Sequence, residues 1–275
     1  MRHLLHILFP LLVACLFFAG CGSSPAPTGS NPTAPAQVTL KVFAAASLTE
    51  SFNEIKKNYQ AAHHNITITY NFAGSQVLEQ QMANGAADDV FASADQTNMK
   101  KASDAGLVGS SQVFARNKLV VIVPTSNPGH VSTLKDLANK GVKIDVAAPA
   151  VPVGKYGLQV LDKLGKSPDY GPAYESSVKA NFVSQEDNVK AVVQKVELGE
   201  ADAGIVYRTD VTTSAASKVT VIDIPDALNV IAEYPIAVTK NAPHATDAQA
   251  FVQCILSGDG QAVLAKYHFL GTTSS

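Results

Sequence analysis

Apolar residues in this chain follow two periods that take turns. Val38, Leu40 and Val42 alternate with Thr39 and Lys41, which predicts a half-buried strand. From Leu48 the spacing lengthens, and Leu48, Phe52, Ile55, Tyr59 and Ala62 fall on one face of a helix. Between the two runs lies the small-residue stretch Phe43-Ala44-Ala45-Ala46-Ser47. Ser47 and Glu50 stand three apart, the spacing of a capping box. A serine hydroxyl therefore sits where a strand gives way to a helix. The first N–H groups of a helix have no carbonyl partner within it, and such a point attracts anions. Ser47 can cap its own helix or donate to an anion, and its local sequence is compatible with both.

The same switch recurs. Ile66, Ile68, Tyr70 and Phe72 predict a strand running into Ala73-Gly74-Ser75, then a helix with Val77, Leu78 and Met82 inward and Asn84-Gly85 as its stop. Asp89 to Ala92 reads as a short strand, and Asp95 as the cap of a helix from Gln96 to about Ala105. Leu119 to Val123 is a continuous apolar strand, buried on both faces. Ser132 to Ala138 predicts a short helix. Val142 to Ala147 predicts a strand leading to Pro152-Val153-Gly154 and a helix with Tyr156, Val160, Leu161 and Leu164 inward. Residues 166–177 are polar and carry Pro and Gly, so they read as a surface connection before a strand at Ala180 to Val183. A helix from Val189 to Leu198 follows Gln185-Glu186-Asp187-Asn188. Strands are expected at Ala203 to Tyr207, Val219 to Ile224 and Tyr234 to Thr239, and helices from Asp247 to Ser257 and Gly260 to Tyr267. Strands that alternate with helices predict an α/β chain with mostly parallel, mixed sheets and helices on both faces. In such sheets ligands lie beyond the carboxyl ends of strands. That rule selects Ser47, Ser75, Pro152-Val153-Gly154, Asp187-Asn188-Val189 and the strand end at Tyr207.

Composition narrows the chemistry. Of 275 residues, 46% are hydrophobic and 16% charged, which places the chain among globular proteins. Net charge is −2, there is no basic run and the aromatics are scattered, so nothing prepares a nucleic-acid surface. An anion site here must use local neutral donors. At the N-terminus, Arg2 precedes an apolar stretch from Leu4 to Phe18, followed by Ala19-Gly20-Cys21, the pattern of a secretory signal. It resembles a bacterial lipoprotein signal, whose cysteine is lipidated. Leu12-Val13-Ala14-Cys15 matches the usual letters better. Cys21 is favoured because it ends the apolar run and precedes Gly22-Ser23-Ser24. Residues 22–37 are Ser, Pro, Ala, Thr, Gly, Asn and Gln without charge, the composition of a tether. Cys254 lies in an apolar helical stretch and reads as packing.

Several segments together carry a resemblance. They are Phe43 to Leu48, Phe72-Ala73-Gly74-Ser75, Ala87 to Asp95, Pro152-Val153-Gly154, Asp187-Asn188-Val189, Gly204 to Tyr207 and Glu233 to Val238. In order and spacing they resemble the signature segments of periplasmic molybdate-binding proteins, the substrate-binding components of molybdate ABC transporters. The resemblance implies a type II periplasmic-binding fold, with residues 38–118 and 226–275 as one lobe, 119–225 as the other, and a cleft between them. The N-terminal pattern adds a signal peptide over 1–20 and a lipid-anchored tether over 21–37. The resemblance assigns Ser47 and Ser75 as hydroxyl and backbone donors, Val153 and Val189 as backbone donors, and Tyr207 as a hydroxyl donor. Asn188 is a one-residue alternative to Val189. The implied ligand is molybdate or tungstate, held through its oxygens without a cofactor or protein-bound metal. The implied partners are an ABC permease and its ATPase, and the implied setting is a monomer anchored by lipid outside the cytoplasm, without enzymatic activity.

Other readings compete with this one. Sulfate shares the shape and charge of molybdate. A serine hydrolase using Ser47 needs a base within reach, and no histidine sits in a motif that supplies one. No G-x-S-x-G, P-loop or H-E-x-x-H occurs. Asp88, Asp89 and Asp95 resemble a carboxylate cluster, but Asp95 reads as a cap and Asp89 as a strand start. His63-His64 read as helix-end residues. Glu186 and Asp187 place carboxylates close to a site expected to hold donors only, and Lys155 adds positive potential near it.

Overall fold

The computed structural model describes residues 36–272. The expected signal peptide, Cys15, Cys21 and nearly all of the tether lie outside those residues. The first strand, β1 (Val38–Ala45), pairs in parallel with β2 (Ile66–Ala73) and β3 (Val90–Ala92). The long strand β4 (Gln112–Pro124) follows, then β5 (Ile144–Ala147), β6 (Phe182–Glu186), β7 (Ala203–Tyr207), β8 (Val219–Asp223) and β9 (Ile231–Val238). The strand order is β2-β1-β3-β9-β4-β7-β5-β6, with β8 also on β4. Every antiparallel pairing involves β4 or β9, and the pairs β1–β2, β1–β3, β5–β6 and β5–β7 are parallel.

β4 changes partners midway. Gln112 to Lys118 pairs with β9, whereas Leu119 to Pro124 pairs with β7 and β8. The apolar half, Leu119 to Val123, is fully buried, as its continuous run predicts. The half before it was not expected as strand, because Gln112, Arg116, Asn117 and Lys118 interrupt the apolar pattern. Backbone pairing to β9 carries it instead.

Helices follow most strands. α1 (Thr49–Ala62) buries Phe52, Ile55 and Tyr59 at the expected helical spacing, while Ala62 is exposed. Each large side chain buried in this way contributes about 1.5–3 kcal/mol. α2 (Ser75–Ala83) ends at Asn84 and Gly85, whose φ of +88° suits glycine. α3 (Gln96–Asp104) is capped by Asp95, whose side chain accepts from Asn98 N. α4 (Pro152–Lys166) begins with proline at its first position, where no N–H is required. Its Tyr156, Val160, Leu161 and Leu164 are buried.

One expectation is corrected here. Part of the presumed surface connection 166–177 and the presumed strand start at Ala180 form a helix, α5 (Tyr174–Ala180). Tyr174 and Val178, four apart, bury against the core, and the Tyr174 hydroxyl donates to Leu134 O at 2.5 Å. Two apolar positions were too few to signal a helix. α6 (Val189–Glu197), α7 (Thr213–Ala216), α8 (Ala245–Leu256) and α9 (Gly258–Lys266) complete the chain. Cys254 is half-buried in α8 and packs against the core. Among the described residues no helix is long and apolar enough to cross a membrane.

Candidate functional site

Five strand ends meet. Ser47, Ser75, Val153, Val189 and Tyr207 all line one small cavity, together with Asn188. None of its lining residues is charged, and the rest of its wall is small, with Ala45, Ala46, Ala73 and Ala94. Each residue stands at or just beyond a strand end, as the sequence indicated. Ser47 lies in the one-turn 3-10 segment Ala46–Leu48 after β1, and Ser75 is the first residue of α2. Val153 is the second residue of α4 and Val189 the first of α6, positions whose N–H groups have no partner within their own helix. Tyr207 ends β7.

Ser47 departs from the expected capping box. Leu48 is the residue that precedes α1, and no side-chain cap bond forms there. Glu50 instead reaches Lys190 at the start of α6, with Nζ 2.8 Å from Oε2. The Ser47 hydroxyl turns to Tyr234 OH at 2.9 Å. Sequence reasoning missed that partner, although Tyr234 belongs to one of the segments that carried the resemblance. It also missed Asn117, whose amide donates to Tyr234 OH at 3.2 Å and to Thr209 Oγ1 at 2.8 Å. An isolated asparagine in a polar run gave no signal.

Hydroxyl hydrogens remain for a ligand. Ser75 Oγ accepts from Ala94 N at 3.0 Å, so its own hydrogen is unused by that bond. The Tyr207 hydroxyl is buried and closes no well-formed hydrogen bond among the described residues. Such a group carries a penalty unless something fills the cavity. Burial pushes the Tyr207 phenol well above its usual range, with Tyr234 adding to the shift. It is a neutral donor at any ordinary pH.

Charged groups surround the cavity without lining it. Glu186 turns away to Lys195, at 2.5 Å, and to Ser184, and these bonds hold its carboxyl below the usual range. Asp187 is exposed. Lys155 does not present a free charge, because its Nζ binds Asp95 Oδ2 at 2.6 Å and Thr97 Oγ1 at 2.8 Å. Lys190 also lies 3.5 Å from Asp210. Burial alone would lower Lys190, but Asp210 and Glu50 outweigh it and keep its pKa raised. Asp210 is itself pushed up to about 6 by burial, against the pull of Lys190.

The segments also touch each other beside the cavity. A Cβ added at Gly74 would stand 2.4 Å from Asp187 O, and Gln76 Nε2 donates to that oxygen at 2.9 Å. Only glycine allows so close a backbone approach. The aspartates do separate work: Asp95 caps α3, and Asp89 accepts from Lys41 N and His244 N. Among the described residues no group of three or more His, Cys, Asp or Glu is placed to hold a metal ion. His63 stacks on Tyr59, with ring centroids 4.2 Å apart.

Comparison with known proteins supplies the family. Residues 40–270 match the family described as bacterial extracellular solute-binding protein. The molybdate-binding protein ModA of Mycobacterium tuberculosis is 36% identical over 263 residues, covering 94% of this chain and 95% of the relative. The molybdate-binding protein ModA of Escherichia coli is 31% identical over 264 residues, covering 92% and 96%. The solved periplasmic molybdate-binding protein of Azotobacter vinelandii shares the fold, with a TM-score of 0.73, 23% identity and coverage of 85% of this chain and 100% of that one. The chain therefore belongs to the bacterial extracellular solute-binding protein family and is a relative of the molybdate-binding proteins.

Proposed function

We propose that this protein captures molybdate outside the cytoplasm and delivers it to an ABC importer. The observation that carries the proposal is the convergence of Ser47, Ser75, Val153, Val189 and Tyr207 on one uncharged, donor-lined cavity. A tetrahedral dianion needs donors on all sides and no acceptor. Hydrogen bonds to a charged partner contribute about 1.5–3 kcal/mol each. Several of them offset lost hydration and ordering without any formal cation. The names of the relatives support molybdate as the ligand. Tungstate, a tetrahedral dianion of the same charge, fits the same donor set.

The change of partners along β4 between Lys118 and Leu119 supports two lobes, 38–118 with 226–275 and 119–225. Ligand donors would then come from both sides, and binding would favour closure. Val189, the first residue of α6, supplies the backbone donor, since its N–H has no partner within the helix. Cys21 is the lipidation site, the tether keeps the protein near its membrane permease and ATPase, and the protein works as a monomer.

The test is thermal unfolding with molybdate, tungstate, sulfate and phosphate. A ligand at a hundred times its Kd adds about 2.7 kcal/mol to stability, so molybdate should raise Tm clearly. No shift with molybdate overturns the proposal, and a larger shift with sulfate reassigns the ligand.

A further inference from the structure

Ser47 is the one cavity hydroxyl whose partner is another hydroxyl, so its role depends on which of the two donates. The answer follows from residues farther back. Asn117 Oδ1 accepts from Lys118 N at 3.0 Å, and a backbone N–H can only donate. That contact fixes which end of the Asn117 amide is oxygen. The other end is therefore NH2, a donor only. It donates to Thr209 Oγ1 at 2.8 Å and to Tyr234 OH at 3.2 Å. Tyr234 is fully buried, and its oxygen already accepts one hydrogen bond. Its single hydrogen needs an acceptor, and Ser47 Oγ stands 2.9 Å away. If Ser47 donated instead, the Tyr234 hydrogen would have to turn to the neighbouring Tyr207 hydroxyl, a poorer partner than Ser47 Oγ at 2.9 Å. We infer that Asn117 and Tyr234 set the direction of this chain of hydrogen bonds and so make Ser47 an obligate donor to the bound oxyanion. Tyr234 and Asn117 are thus positioning residues that never touch the ligand.

This inference rests on the oxyanion-binding reading of the cavity and gives it a basis for selectivity. Ser75 is held in the same sense by Ala94 N, so both serines present hydrogens to the cavity. A protonated oxyanion brings a hydrogen that requires an acceptor, and each serine, with one lone pair already engaged and its own hydrogen aimed at the cavity, is a poorer acceptor than donor there. Removing the Tyr234 hydroxyl frees Ser47 to rotate. It then binds the dianion less well and discriminates less against a protonated anion.

The experiment is a double-mutant cycle read by calorimetry, with molybdate and then inorganic phosphate as ligands. Tyr234→Phe and Ser47→Ala are each expected to weaken molybdate binding about tenfold, the loss of one charge-assisted bond. If Tyr234 acts through Ser47, the double variant binds no more weakly than Ser47→Ala alone. Phosphate affinity, relative to molybdate, should rise in Tyr234→Phe. Losses that multiply in the double variant would overturn the inference, because a purely structural role of Tyr234 is independent of Ser47. Should Tyr234→Phe fold poorly, Asn117→Asp asks the same question. An acceptor there would draw the Tyr234 hydrogen away from Ser47, so its effect should be larger with Ser47 present than with alanine. Equal factors in the two backgrounds would again overturn it. Absence of molybdate binding by the unmodified protein would overturn the functional reading itself, a distinct outcome from additivity.

Discussion

Lys155 Nζ stands 2.6 Å from Asp95 Oδ2, joining α4 to the cap of α3 across 60 residues of chain. Both residues flank the cavity wall, since Val153 and Ala94 line it. The pair therefore ties two sides of the site together. Asp95 is buried and Lys155 partly exposed, which places the bond between a surface and an interior ion pair. Replacing Lys155 with Met should weaken molybdate binding by about 1 kcal/mol, roughly fivefold. Calorimetry giving an affinity within twofold of the original would show that the pair does not support the bound arrangement.

Gly74 gives a sharper steric test. The contact with Asp187 O is to backbone, which cannot swing aside as a side chain would. Gly74→Ala should leave each segment folded but hold the α2 and α6 starts apart, and molybdate affinity should fall more than tenfold. Small-angle scattering should show no ligand-induced compaction. Unchanged affinity would mean that these segments need not approach for binding.

At the start of α6, proline separates a backbone donor from its side chain. Asn188 is extended, with φ −158° and ψ 165°, a conformation that a following proline favours. Proline is also well tolerated at the first helical position. Val189→Pro should therefore keep the helix while deleting one N–H, at a cost of about 1.5–3 kcal/mol in molybdate binding. Val189→Ala should cost less affinity. If the proline variant binds normally, the donor of this segment is Asn188 N.

A pH effect should arise far from the cavity. Burial, reinforced by the neighbouring Asp89 charge, raises the Asp88 carboxyl from its ordinary 3.8 to about 7. The folded state then holds a proton over that interval that the unfolded state has released, so stability falls as pH rises. Above both values the penalty is complete. Asp145 and Asp210, each raised to about 6, add the same sign over a narrower range. Asp88→Asn should raise Tm at pH 8 and leave it nearly unchanged at pH 4. A Tm gain of equal size at both pH values would exclude titration of Asp88 as its cause.

What the sequence revealed and what it hid divide along physical lines. Helix ends were legible where capping and glycine chemistry is local: Asp95 caps the start of α3 and Gly85 marks the stop of α2, as their neighbours suggest. The five cavity residues were legible as strand ends, and the ordered family segments supplied their grouping. The Ser47 partner was not, because a contact with Tyr234 spans 187 residues and has no short-range signature. Glu50 misled for the same reason: its local spacing suits a cap, yet a distant lysine outcompetes the helix end. The first half of β4 was hidden because its pairing with β9 is a backbone property, indifferent to the polarity of Arg116 or Lys118.

The joining of β3 to β9 has a consequence for how the chain comes to be folded. The Thr239 hydroxyl closes on Asp88 O from 151 positions away, beside the ladder that seats β3. Such contacts reward the chain only after a long loop has closed, which slows folding. The first hundred residues cannot complete their sheet until the last strand has been synthesised. For an interval after its amino terminus emerges, the polypeptide is thus held short of its native state by topology alone.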